Sequence, residues 1–211
     1  MATSEWVAWH ERYDDPGSRL TQRLAVVRDR IRIALDEAPP GPLRAVSLVA
    51  GQGRDLIPVL ASHGRGQDVT ARLVELDPVN ADAARQLASS FGLTSVDVVT
   101  GDAASMDGYA DLAPADLVLL CGLFGNISDD DIRRTIAHTT SLVRRGGTVI
   151  WTRHRGEPDA VPWIVDCFES HGLASTWLSD ASFGFGVGVQ RATNDPTPLT
   201  PGVTLFTFVG H

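Results

Sequence analysis

The chain of 211 residues contains no lysine, and all 18 of its basic residues other than histidine are arginine. Chemistry that needs an amine side chain, such as Schiff-base formation, is therefore excluded. The bias itself reads as that of a GC-rich genome. Cysteine is scarce too: Cys121 and Cys167 stand far apart and lack metal-ligand spacing. Both are expected to be buried small hydrophobes, and no metal is expected. No apolar run approaches the ~20 residues that span a bilayer. The N-terminal stretch MATSEWVAWHERYDD is acidic and polar, without the basic-then-apolar order of a secretory leader. A soluble, cytoplasmic protein without a membrane partner is expected. The formal net charge of −8 disfavours broad nucleic-acid binding, which needs a positive surface, and allows a small charged substrate; a small molecule is the expected partner, with a protein or peptide left open.

A hydrophobic share of 43% is enough for a real core, and the length suits one globular domain. Residues 1–42 read as an N-terminal helical cap and 43–211 as the main body. In the cap, Leu20, Leu24, Val27, Ile31 and Leu35 recur as one buried stripe, and Pro39-Pro40-Gly41-Pro42 ends the helix. Before it, Trp6, Trp9, His10 and Tyr13 form a short aromatic-rich segment. Beyond the cap the pattern alternates. Strand-like runs occupy 45–50, 69–74, 96–99, 116–121 and 147–152. Helical patterns occupy 54–63 and 78–91, and another helix begins at Ser128. Asp77 is positioned as an N-cap before Pro78, and Asp131 as a capping-box partner of Ser128. Arg144 and Arg145 are placed at that helix's end, where the macrodipole favours cations. Such alternation implies an α/β fold: a Rossmann-like parallel sheet with helices on both faces. The tail differs, with a helix around 160–171 and strand-like runs at 174–179, 184–191 and 203–209. An antiparallel C-terminal edge is expected there, though which two runs pair is open.

The chemistry is concentrated in the run Ala45-Val46-Ser47-Leu48-Val49-Ala50-Gly51-Gln52-Gly53-Arg54-Asp55. Glycines after a strand let backbone approach a ligand, and Glu75 ends the next strand with a carboxylate suited to ribose hydroxyls. In order along the chain, these pieces resemble the class I S-adenosylmethionine-dependent methyltransferases. Gly51-Gln52-Gly53 looks like the family's first motif, and Glu75 sits where the family places its ribose-binding acid. Gly101-Asp102-Ala103 looks like the adenine-contacting segment. Cys121-Gly122-Leu123-Phe124-Gly125-Asn126 follows the fourth strand, where the family meets methionine and substrate. Val143-Arg144-Arg145-Gly146-Gly147-Thr148-Val149-Ile150 resembles its segment leading into the fifth strand.

The resemblance implies S-adenosylmethionine as cofactor, S-adenosylhomocysteine as product and methyl transfer to a small-molecule acceptor. It implies a cofactor site formed by Tyr13, Arg19, Ala50, Gly51, Gln52, Gly53, Asp55, Glu75, Leu76, Gly101, Asp102, Ala103, Cys121 and Gly122. Trp9, His10, Phe124 and Arg153 are expected at the substrate, with His154 and Asn126 as catalytic candidates. His154 follows the fifth strand and is placed to act as base or substrate ligand, while Asn126 is placed to hydrogen-bond in the pocket. Two departures stand out: Val49 replaces the family's usual acid, and Asp55 replaces its third glycine. Asp55 either supplies the missing charge or interacts with the helix N-terminus. Three other readings stay open: an enzyme that cleaves or cyclises S-adenosylmethionine, a nicotinamide-dependent oxidoreductase, and a non-catalytic binding protein. The acceptor and the oligomeric state are not encoded in recognisable form.

Overall fold

A computed structural model describes residues 17–209. The first helix among the described residues, α1 (Arg19–Glu37), begins at Ser18, whose Oγ accepts the Thr21 amide at 3.1 Å. Val27, Ile31, Ala34 and Leu35 form its buried stripe, while Leu20 and Leu24 at its start are only half-buried. The body follows as β1 (Leu43–Leu48), α2 (Ile57–Ser62), β2 (Val69–Glu75), α3 (Pro78–Ser90), β3 (Val96–Thr100), β4 (Ala115–Leu120), α4 (Asp129–Leu142), β5 (Val143–His154), α5 (Val161–Ser170), β6 (Leu173–Leu178) and β7 (Phe185–Ala192). Asp77 caps α3 through the Val79 amide, and Ser128 caps α4 through the Asp131 amide.

The seven strands lie in the order β3-β2-β1-β4-β5-β7-β6. β1 to β5 are parallel, and β7 is inserted antiparallel between β5 and β6. Of the three tail runs, those at 174–179 and 184–191 are the ones that pair. The pleat sends alternate side chains into two cores. Ala45, Leu73, Leu117, Leu119, Ile150 and Val187 meet α1, α2 and α3 on one face. Val46, Leu48, Val118, Leu120, Val149 and Trp151 meet α4 and α5 on the other. Trp151 is fully buried and fits because its neighbour on β7 is glycine. A Cβ at Gly188 would come within 2.2 Å of the indole.

Two expectations are corrected here. Arg144 and Arg145 do not end a helix. α4 stops at Leu142, and β5 begins at once with an irregular register between Ala115 and Leu117 of its partner strand. Arg144 is drawn to Asp116 on β4, a full charge near at hand rather than the partial charge of a helix end. The run at 203–209 is not a sheet strand either. It makes two isolated bridges, Ser105 with Thr204 and Ile127 with Phe208. Its backbone crosses the loops after β3 and β4, where Leu205 N donates to Ala104 O and Val209 N to Asn126 O. Asp131 anchors it by accepting the Thr207 amide at 3.0 Å. Its apolar residues, Leu205 and Phe206, fill the α4 side of the core.

Candidate active site

In a parallel sheet of this kind, ligands are met at the carboxyl ends of the strands. β1 ends at Leu48, and Val49 follows with φ +47°, an uncommon conformation for a β-branched residue. The chain then turns through Ala50, Gly51, Gln52 and Gly53. Ala50 N donates to Val74 O, and Gly53 N to Ala50 O. Gly53 has φ +65°, and a Cβ there would meet Ile57 Cδ1 at 2.5 Å. The turn therefore packs backbone against α2 as no larger residue could.

Glu75 ends β2 almost fully buried. Its Oε2 accepts the Gly51 amide at 2.7 Å, and its Oε1 accepts the Asp77 amide at 2.9 Å. Burial pushes the carboxyl pKa up, while those two amides oppose the shift. The carboxylate thus staples the glycine turn to the β2–α3 turn, a structural role the sequence did not reveal. Gln52 reinforces the same junction, donating from Nε2 to Asn80 Oδ1 and accepting from Arg54. Beside Glu75, Leu76 is 56% exposed, a large apolar side chain left open at the sheet edge. After β3, Gly101 N donates to Glu75 O. Asp102 is exposed and closes a turn by accepting the Ala104 amide, while Ala103 is buried and its carbonyl accepts the Tyr109 hydroxyl.

Asp55 accepts the Leu56 amide at 2.8 Å. Burial raises its pKa, opposed by that backbone bond and by the charges of Arg28 and Arg23. Cys121 ends near it, its thiol pushed well up by burial and by Asp55, which removes it as a nucleophile at neutral pH. Gly122 N donates to Thr152 Oγ1 at 2.8 Å, joining the ends of β4 and β5. Asn126 Nδ2 donates to Gly122 O at 2.7 Å, so its side chain braces the loop after β4 from within.

Phe124 is a correction. Expected at the substrate, it is fully buried between Trp151 and Phe168, each at 6.1 Å between ring centroids. Only its carbonyl is engaged from the site side, by Arg153 Nη1 at 2.6 Å. Burial lowers the Arg153 pKa, opposed by Asp129 and Asp159.

His154 is exposed at the end of β5. Desolvation, Arg153 and Arg23 lower its pKa from the ordinary 6.5, so the imidazole is neutral at pH 7. It borders a cleft of about 310 Å³ lined by Ser18, Arg19, Leu20, Arg23, Gly184 and Phe185. Arg23 was missed from sequence, being one arginine among many on a helix. The available signal was that the first turn of α1 carries no acid to balance its cations. Trp9, His10 and Tyr13 lie outside the described residues. Among the described residues no cluster of three or more His, Cys, Asp or Glu could hold a metal ion, and no helix is long and apolar enough to cross a membrane.

The strand order with its reversed β7 is the fold of the class I S-adenosylmethionine-dependent methyltransferases. Magnesium protoporphyrin IX methyltransferase from Synechocystis, solved with bound SAH, is 14% identical at a TM-score of 0.66, over 90% of this chain and 95% of that one. The 1,6-didemethyltoxoflavin-N1-methyltransferase of Burkholderia thailandensis, solved with 1,6-didemethyltoxoflavin and S-adenosylhomocysteine, is 17% identical at 0.61, over 92% of each chain. An O-methyltransferase family protein from the same organism is 20% identical at 0.61; the match covers 87% of this chain and 62% of that one. No protein-family model matches the sequence, and no curated protein is significantly similar to it.

Proposed function

We propose that this protein is an S-adenosylmethionine-dependent methyltransferase acting on a small-molecule acceptor. The observation that carries the reading is the convergence of Gly51, Glu75 and exposed Leu76 at the ends of β1 and β2. A carboxylate has about four lone-pair sites, so Glu75 retains acceptor capacity for a ribose diol after taking two amides. Leu76 offers an apolar face to a purine, and the free edge of Asp102 lies at the end of the neighbouring strand. The donor and acceptor set therefore fits the cofactor. The third position of a nicotinamide fingerprint is instead Leu56, which is fully buried. The reversed β7 also departs from the usual order of the dinucleotide-binding sheet.

Bound S-adenosylmethionine would supply an electrophilic methyl group on its sulfonium. The chain's own task is then alignment and exclusion of water, which can lower a barrier by up to ~7–11 kcal/mol. Glu75, Leu76 and Asp102 hold the adenosine end. Gly122, braced by Asn126 and Thr152, shapes the backbone where β4 ends. His154, held neutral, accepts a proton on a ring nitrogen when the acceptor is protonated. Arg153 positions the loop after β4 through the Phe124 carbonyl. Acidity of the whole chain and the modest cleft beside His154 favour a small acceptor.

Incubation with methyl-labelled S-adenosylmethionine and a panel of small acceptors tests the reading. Label should appear on an acceptor. Label confined to a cofactor fragment would identify a cleaving or cyclising enzyme. Failure of both S-adenosylmethionine and S-adenosylhomocysteine to bind in calorimetry would overturn the cofactor assignment.

A further inference from the structure

Arg19 and Arg23 stand one helical turn apart on α1 and share a face. Both line the cleft beside His154. The Arg19 guanidinium lies against Gly184, where a Cβ would come within 2.9 Å of Nη1. Arg23 acts electrostatically on Asp55, Cys121 and His154, which places its charge between the glycine turn and the end of β5. Several arginines elsewhere are engaged. Arg65 donates to three carbonyls, Arg72 pairs with Asp97 and Asp111, and Arg155 pairs with Asp159. Arg19 and Arg23 make no hydrogen bond or ion pair among the described residues.

Their position also opposes local stability. Cations in the first turns of a helix face its positive end, and α1 has no acid in its first turn to offset them. An anion in the cleft would reverse both penalties at once. It would meet two guanidiniums and the favourable end of the helix dipole. The remaining walls, Leu20 and the nearly buried Phe185, are apolar. The cleft's 310 Å³ is at the small end of ligand pockets, room for one ring or a short chain. A monoanion suits its charge, because the carboxylates of Asp55 and Asp159 act on the same neighbourhood.

Location separates this cleft from the nucleoside end of the site. The residues assigned to the adenosine end, Glu75, Leu76 and Asp102, end or follow β2 and β3, whereas the cleft sits over β5 and β7. β4 and β5 intervene between β1 and β7, and at about 4.8 Å per strand the offset is roughly 14 Å. That is the side on which His154 lines the cleft.

We propose that Arg19 and Arg23 bind the carboxylate of a small organic-acid acceptor in this cleft, presenting its reactive end toward His154 and the end of β4. The assignment rests on the methyltransferase reading, names the substrate class for it, and moves Arg19 from the expected cofactor set to the acceptor.

The test uses the full chain saturated with S-adenosylhomocysteine and benzoate as probe, with benzamide as the neutral isostere. Calorimetry should show benzoate binding about tenfold or more tighter than benzamide. Arg23→Met, which keeps the apolar stem, and Arg19→Met should each weaken benzoate by about tenfold, with S-adenosylhomocysteine affinity held within about twofold. Melting curves matching the parent would exclude a folding defect; should either variant melt early, Arg→Lys at the same position keeps the charge and should retain most benzoate binding. Equal binding of benzoate and benzamide would overturn the proposal, as would undiminished benzoate binding to both Met variants. Weakened S-adenosylhomocysteine binding with no benzoate site would assign the arginines to the cofactor carboxylate instead, leaving the methyltransferase reading intact. Arginine-dependent benzoate binding to a protein that ignores S-adenosylhomocysteine would do the reverse.

Discussion

The Glu75 carboxylate accepts the Gly51 amide at 2.7 Å, binding the end of β2 to the turn after β1 across 24 residues of sequence. A residue poised for ribose is therefore also part of the apo framework. Glu75→Ala should leave the Gly51 and Asp77 amides without their acceptor and destabilise the ligand-free protein by ~1–3 kcal/mol. S-adenosylhomocysteine affinity should fall in addition. Urea unfolding of the apo protein and calorimetry on the same preparation separate the two effects, and an unchanged unfolding midpoint would remove the framework role.

Phe124→Ala should act on folding rather than on acceptor recognition. The ring is fully buried against Trp151 and Phe168, and truncating a buried phenylalanine typically costs ~3–5 kcal/mol. A variant with parental stability and a raised acceptor KM would restore the ring to the substrate site.

Asp55 gives the protein a specific dependence on pH. Its native pKa is raised above the ordinary 3.8. Between the two values the native state holds a proton that the unfolded chain has released, so stability drops as pH rises through that window. Asp55→Asn should abolish this contribution. Unfolding free energies measured from pH 3 upward should show a less negative slope for the variant; a steeper one would contradict the assignment.

His154 makes an opposite kind of prediction, on rate. With its pKa lowered by desolvation, Arg153 and Arg23, the acid limb of kcat/KM should lie below 6.5. Removing the Arg23 charge should move that limb upward. If His154 takes the acceptor proton, His154→Ala should cut turnover by ~10²–10⁴-fold and leave S-adenosylhomocysteine binding in place. Parental turnover of that variant on the true acceptor would exclude His154 from proton transfer.

The alternating strands and helices were legible because each is a local pattern: Val46 and Leu48 against Ala45 and Ser47, Asp77 before Pro78, Ser128 before its acidic turn. The cofactor turn was legible for the same reason. What escaped depends on neighbours far away in the chain. Glu75 gains its structural partner only when the turn at Gly51 is folded beside it. Phe124 sits between glycines in sequence, a context that reads as an open loop, yet Trp151 and Phe168 close over it. The 203–209 run has strand-like composition, but a sheet partner is not what it finds. It pairs sideways with two loops, and Asp131, read as a capping partner, is spent on holding it. Arg23 looks like any exposed helical arginine until α1 is laid over β5 and β7.

That last crossing sets an order of events during synthesis. The glycine turn and Glu75 leave the ribosome before β3 to β7, and β1 and β2 can pair while those strands are still being made. The loops carrying Asp102 and Asn126 are bridged by residues 204 to 209, which emerge after every strand of the sheet. A nascent chain stalled before residue 203 would own the whole sheet and still lack the clasp between those two loops. Competence to bind the nucleoside would thus depend on residues 204 to 209 as well as on the sheet's closure.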